Sequence, residues 1–259
     1  MTARLILLAA GTGSRLRPLT DDKPKALVPL AGKPLIEWQL AAAASAGLSQ
    51  RTIVAGYLPE QLTPYASDIV INESFDRTNM VYSLYCARER LNGHVILSYG
   101  DIVCRPQVIA QLAGSAAPIS IVVDKQWRKY WERRFDEPLT DAESLRVDDK
   151  GYLKSIGQKA KTLDEIEGQY IGLLSFQGAG VELLRRTLNE LYSGSGADAP
   201  HARMFMTDLL QSLIDRGEAL TPVFVDGGWL EVDSISDLKL AETMIAEGRL
   251  GDVSAWSFG

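Results

Sequence analysis

Apolar positions run unbroken over residues 5–9 and stop at a glycine loop, as a buried parallel strand does on entering a turn. Residues 34–46 are predicted as a helix, with Pro34 at its start and Gly47 past its end. Residues 51–55, 68–71, 94–98 and 118–124 read as further short strands, with helices over 80–91 and 104–113 between them. That alternation predicts βα units on a mainly parallel sheet. The pattern then changes: residues 144–156 alternate like an antiparallel pair around a turn at Asp148-Asp-Lys-Gly151. A strand at 169–176, helices at 179–192 and 204–216, a strand at 222–225 and a helix at 234–248 complete the chain. Neither repeat nor linker interrupts it. The expected fold class is α/β: one Rossmann-like domain over residues 1–259, with a mixed, mainly parallel central sheet and a small antiparallel portion.

The segment from Leu8, Ala9 and Ala10 through Gly11, Thr12, Gly13 and Ser14 to Arg15-Leu-Arg17 carries the most chemistry, and Lys23-Pro-Lys25 continues it. Gly11 and Gly13 follow a strand end, where backbone N–H groups can approach a phosphate without obstruction by Cβ. Two other phosphate loops are excluded. No Gly-x-x-x-x-Gly-Lys-Ser/Thr string follows Gly11, and Leu16 stands where a dinucleotide fingerprint needs its third glycine. Arg15, Arg17, Lys23 and Lys25 supply more cation than a diphosphate needs, which suits a triphosphate whose α-phosphorus gains charge during attack.

Residues 8–30 resemble the signature of the sugar-nucleotide pyrophosphorylase superfamily, Ala-Ala-Gly-x-Gly-x-Arg followed by Pro-Lys. Later strings, among them Asn79-Met-Val-Tyr-Ser83, Ser98-Tyr-Gly-Asp101, Gln169-Tyr-Ile-Gly172 and Glu231-Val-Asp233, are similar to its CTP-using branch: the phosphocholine, phosphonate and phosphoglutamine cytidylyltransferases. The resemblance implies a nucleotidyltransferase, with residues 1–124 as the nucleotide-binding half, 125–233 as the acceptor-side half and 234–259 as a C-terminal helix and tail. It implies backbone contacts from Leu8 to Ser14, Arg15 on the β- and γ-phosphates and Lys25 on the α-phosphate. Gly56, Tyr57, Glu60, Asn79, Ser83 and Gly100 would hold the nucleoside, and Asp101 and Asp233 a magnesium ion. Lys159 falls near an acceptor-phosphate lysine of the sugar-transferring relatives, although its context, Gln158-Lys159-Ala160, departs from theirs.

The remaining chemistry agrees. A phosphomonoester is largely dianionic at neutral pH and needs no general base, only in-line placement. With two histidines, His94 and His201, and no legible Ser-His-Asp or Cys-His set, a hydrolase would be hard to staff. Magnesium takes one or two carboxylates plus phosphate oxygens. Trp127, Tyr130, Trp131 and Arg134 share one helical face; packing is the common meaning of that spacing, and an aromatic wall for an ammonium-bearing acceptor is the alternative. Tyr170 is a further acceptor-side candidate.

Composition narrows the classes. A net charge of −6 argues against nucleic acid as a partner, yet residues 1–35 run +4, a basic patch suited to a small polyanion. Cys86 and Cys104 make no metal or disulfide spacing. No apolar run reaches the ~18 residues of a membrane span, and the apolar N-terminus leads into a Gly/Arg/Lys loop rather than a cleavage site, so a cytoplasmic address is expected. Trp256 and Phe258 could dock on a second subunit, which would make a homodimer. CMP transfer from CTP to a small phosphorylated or phosphonylated acceptor is the favoured function. A sugar-1-phosphate nucleotidyltransferase using UTP, GTP or dTTP and a non-catalytic nucleotide-binding subunit are the alternatives.

Overall fold

The structure is a computed structural model that describes residues 3–250; Trp256 and Phe258 lie outside the described residues. The strands are β1 (Arg4–Ala9), a short hairpin β2 (Pro29–Leu30) and β3 (Lys33–Pro34), β4 (Gln50–Ala55), β5 (Ile69–Ile71), β6 (His94–Tyr99), β7 (Ile102–Cys104), β8 (Ile119–Asp124), β9 (Glu143–Val147), β10 (Leu153–Lys159), β11 (Gln169–Gln177), β12 (Thr221–Val225) and β13 (Trp229–Glu231). The helices are α1 (Leu35–Ser45), α2 (Met80–Cys86), α3 (Pro106–Ala113), α4 (Trp127–Arg134), α5 (Ala179–Tyr192), α6 (Met206–Asp215) and α7 (Ile235–Ala246).

The central sheet has the order β12-β8-β11-β6-β1-β4-β5. β11 runs against both of its neighbours, and every other pairing in the sheet is parallel. β1 sends Leu5, Leu7 and Ala9 into a core shared with α1, α3, α4 and α7, and Ile6 and Leu8 into one shared with α2, α5 and α6. Period-two alternation on a strand buried on both faces therefore builds a three-layer sandwich. From β1 the chain moves to β4 and β5 on one side, then crosses to β6 on the other. That reversal leaves a crevice at the carboxyl ends of β1 and β6, where open α/β sheets bind ligands. β9 and β10 form a separate antiparallel pair, packed on α6.

Two predicted helices differ. Residues 80–91 divide: α2 ends at Cys86 and a 3-10 turn spans Arg88–Arg90. Tightening the last turn buries Leu91 and aims Arg90 at Asp68 on the β5 side, through two hydrogen bonds of 2.8 and 3.0 Å. Cys104, predicted to start a helix over 104–113, ends the strand over residues 102–104, which pairs with β13; Pro106 then opens α3 at a position where its missing N–H costs nothing. Among the described residues no helix is long and apolar enough to cross a membrane.

Candidate active site

β1 delivers the glycine loop to the crevice. Gly13 has φ +64°, and a Cβ there would meet the Lys25 Cβ at 2.8 Å. Glycine is required because the loop turns left-handed against the lysine stem. The Thr20 hydroxyl donates to the Gly13 carbonyl at 2.9 Å, and Leu16, fully buried, anchors the turn from Ser14 to Leu16. A second 3-10 turn, Lys25–Leu27, is pinned by buried Ala26 and points Lys25 inward.

β6 delivers Asp101. The Gly100 N–H donates to the Leu8 carbonyl at 2.9 Å, which binds the two strand ends together. The Gln39 amide on α1 donates to the carbonyls of Tyr99 and Ile102, at 2.8 and 2.6 Å, and clamps the turn from behind. β13 delivers Asp233: Glu231 pairs with Ile102, and the Val232 N–H donates to the Asp101 carbonyl at 3.0 Å. A short antiparallel pairing thus brings two carboxylates far apart in sequence to one point.

At that point the Lys25 ammonium donates to Asp101 at 2.7 Å and to Asp233 at 2.6 Å, and Arg15 pairs with Asp233 as well. Burial works against the ammonium, but the two carboxylates outweigh it and raise its pKa, so Lys25 stays charged through the neutral range. Asp101 Oδ1 is buried without a hydrogen-bond partner.

A cavity of about 390 Å³ opens over these groups. Of the sequence candidates, Leu8, Ala9, Ala10, Gly11, Thr12, Gly13, Ser14, Arg15, Lys25, Asn79, Ser83, Gly100, Asp101 and Asp233 all line it. Gly56, Tyr57 and Glu60 do not. Gly56 stands behind the wall, where a Cβ would lie 2.5 Å from that of Phe75, and it is Phe75 that faces the cavity. Tyr57 turns away to donate to the Asp21 carbonyl at 2.7 Å, and Glu60 is exposed in the 3-10 segment Pro59–Tyr65. Phe75 and Thr78 carried no sequence signal, and neither did buried Asn72, whose amide donates at 3.0 Å to both Thr78 and Ser83.

A smaller cavity of about 190 Å³ adjoins the first, sharing Met80 and Tyr99. Trp131 and Tyr170 line it, as do Trp229, Asp141, Glu143 and Glu231, which the sequence reading did not assign to it. Trp131 is 4% exposed: its Nε1 donates to Asp141 at 3.0 Å and its ring packs among Trp127, Tyr130 and Trp229. The aromatic stripe is therefore core, and Trp131 also walls this second cavity; Trp127 lines neither of the two. Lys159, exposed on β10, lines neither as well. Burial raises the pKa of Glu231 to about 7, against the pull of its ion-pair partner Arg134, and burial likewise raises Glu143. Among the described residues no lysine or arginine lines this second cavity.

The chain matches the MobA-like NTP transferase domain over residues 5–164. It is 39% identical over 253 residues to the CTP:phosphoglutamine cytidylyltransferase of Campylobacter jejuni, covering 91% of this chain and 97% of that one. It is 27% identical over 240 residues to the 2-aminoethylphosphonate cytidylyltransferase of Lancefieldella rimae, 90% of this chain and 89% of that one. The solved structure of the CTP:phosphocholine cytidylyltransferase of Streptococcus pneumoniae superposes over 95% of this chain and all of that one, with a TM-score of 0.73 and 22% identity. The domain match and these relatives place the chain in the MobA-like NTP transferase family, as a nucleotidyltransferase.

Proposed function

We propose that this protein transfers CMP from CTP to a small phosphorylated or phosphonylated metabolite that bears an ammonium group. The observation that carries the reading is the adjacency of two cavities that share Met80 and Tyr99: the first holds Lys25, Asp101 and Asp233 beside the glycine loop, and the second is walled by aromatic rings and carboxylates. An acceptor phosphate oxygen attacks the α-phosphorus, the bond from that phosphorus to the bridging oxygen breaks, and pyrophosphate leaves. Arg15 and the loop amides hold the triphosphate. Lys25 meets the charge that grows on the α-phosphate oxygens.

Asp101 and Asp233 suit a magnesium ion. They converge on one cation, the Lys25 ammonium, and the buried Asp101 Oδ1 retains unused acceptor capacity. Among the described residues no cluster of three or more His, Cys, Asp or Glu forms, which fits a metal whose coordination the phosphates complete. Bound there, magnesium would offset the charge of the triphosphate.

The second cavity favours this class over sugar-1-phosphates. Trp131 and Trp229 beside Asp141, Glu143 and Glu231 suit a cation, and the Gln169 amide and Thr207 hydroxyl of the same cavity can meet the acceptor's other polar groups. The deciding experiment measures pyrophosphate release with magnesium, each of CTP, UTP, GTP and dTTP, and each of phosphocholine, 2-aminoethylphosphonate, phosphoglutamine and glucose 1-phosphate. Turnover is expected with CTP and an amine-bearing acceptor. Turnover confined to glucose 1-phosphate with UTP or dTTP would replace the proposal by the sugar reading. Asp101→Asn and Asp233→Asn should each lose most activity, and the double variant should be little worse than either; additive losses would mean that the carboxylates hold different things.

A further inference from the structure

Arg134 is the last residue of α4, and its side chain is 3% exposed. A guanidinium so buried requires partners on every side. One edge meets Asp237, with Nε donating to Oδ1 at 2.9 Å and Nη2 to Oδ2 at 3.3 Å. The remaining nitrogen, Nη1, pairs with Glu231. The rings of Tyr130, Trp131 and Phe135 surround it at 5.0–5.5 Å.

The two partners lead to different cavities. Glu231 lines the acceptor-side cavity directly. Asp237 lines neither, but its Oδ2 accepts from the N–H of Ser234 at 2.9 Å, from the N–H of Asp233 at 3.3 Å and from the Ser234 hydroxyl at 2.8 Å. Those bonds fix the turn from which the Asp233 carboxylate enters the nucleotide cavity. From behind, Arg134 thus grips both ends of the segment Glu231-Val232-Asp233, which forms part of the wall of both cavities.

We infer that Arg134 is a positioning residue that holds Glu231 toward the acceptor and, through Asp237, Asp233 toward the metal-bound nucleotide. The inference rests on the function proposed above. A flat fork can satisfy two carboxylates set at an angle; a lysine, a point donor on a flexible stem, cannot hold both edges at once.

Three variants separate the two arms: Arg134→Lys, Asp237→Asn and Glu231→Gln. Two quantities are read, namely calorimetric affinity for magnesium with α,β-methylene-CTP, which does not react, and the KM of whichever amine acceptor the wild type turns over. Asp237→Asn should weaken nucleotide–metal binding by about 10-fold and leave the acceptor KM within about 2-fold. Glu231→Gln should do the reverse, and Arg134→Lys should move both by about 10-fold. If Arg134→Lys does not fold, the opposed pattern of the other two variants decides. A drop in Tm with both quantities unchanged would make Arg134 a purely structural residue and overturn the inference, and so would Asp237→Asn and Glu231→Gln moving the same quantity. Wild-type protein that turns over no acceptor would defeat the proposed function, while the calorimetric arm would still test the link from Arg134 through Asp237 to Asp233.

Discussion

At the scale of single residues, Lys25 concentrates the chemistry. Among the described residues it is the one side chain that bonds both Asp101 and Asp233, and its stem packs where Gly13 has no Cβ. In the reaction proposed above, the ammonium would meet the α-phosphate, where charge is greatest in the transition state. Lys25→Ala should therefore lower kcat by on the order of 10²-fold or more, measured by pyrophosphate release. Arg15, with 70% of its side chain exposed, would bind the triphosphate from the rim, so Arg15→Ala should chiefly raise the KM for CTP. Near-normal kcat in Lys25→Ala would place the critical cation elsewhere. Lys25, Asp101 and Asp233 stood out in the sequence through the resemblance, which the glycine loop, the Pro-Lys pair and the strings ending in Asp101 and Asp233 carry. Phe75, Asn72 and Gln39 did not, since each acts through a contact that no local spacing encodes.

At the scale of elements, α4 shows what periodicity fixes and what it leaves open. The spacing of Trp127, Tyr130, Trp131 and Arg134 demanded a common face, and the helix runs Trp127–Arg134 as that spacing requires. What the face would meet was settled by β13, which sets Trp229 against Tyr130 and Trp131. Both Trp127→Ala and Trp131→Ala should destabilise the protein by about 3–5 kcal/mol, because each leaves a hole in the same aromatic cluster. Only Trp131→Ala should also raise the acceptor KM, since only Trp131 reaches the second cavity. Thermal denaturation and acceptor kinetics on the two variants check this, and an equal rise in KM for Trp127→Ala would refute the assignment of that wall. The same pairing explains the misread start of α3: residues 102–104 are strand only because β13, more than a hundred residues later, lies beside them.

At the scale of the whole molecule, the sheet edge on the nucleotide side is tied by charge. Asp68 accepts from Arg90 twice and from Thr52 at 2.8 Å. The Arg90 hydrogen bonds are the largest influence on its carboxyl; with those of Thr52 and the nearby charge of Arg4, they lower its pKa despite partial burial. A depressed folded-state pKa contributes stability that is complete above the unfolded value of about 3.9 and is lost as the pH falls through the folded value. Asp68→Asn should accordingly flatten the fall of Tm below about pH 4, a comparison that thermal melts across an acid series would make; an unchanged slope would show that other carboxylates govern acid unfolding. By itself the sequence determined the βα succession, the α/β class and the glycine loop that follows β1. Each is written in residues close along the chain: apolar runs of strand length, a Gly-x-Gly turn and the basic residues that follow it. Tertiary structure alone decided that Asp233 meets Asp101, that Tyr57 and Glu60 turn away from the nucleotide cavity, and that Trp131 walls a second cavity beside Trp229 and Glu231. Those outcomes depend on the pairing of β7 with β13 and on side chains competing for one interior, and such long-range contacts leave no periodic trace in the chain.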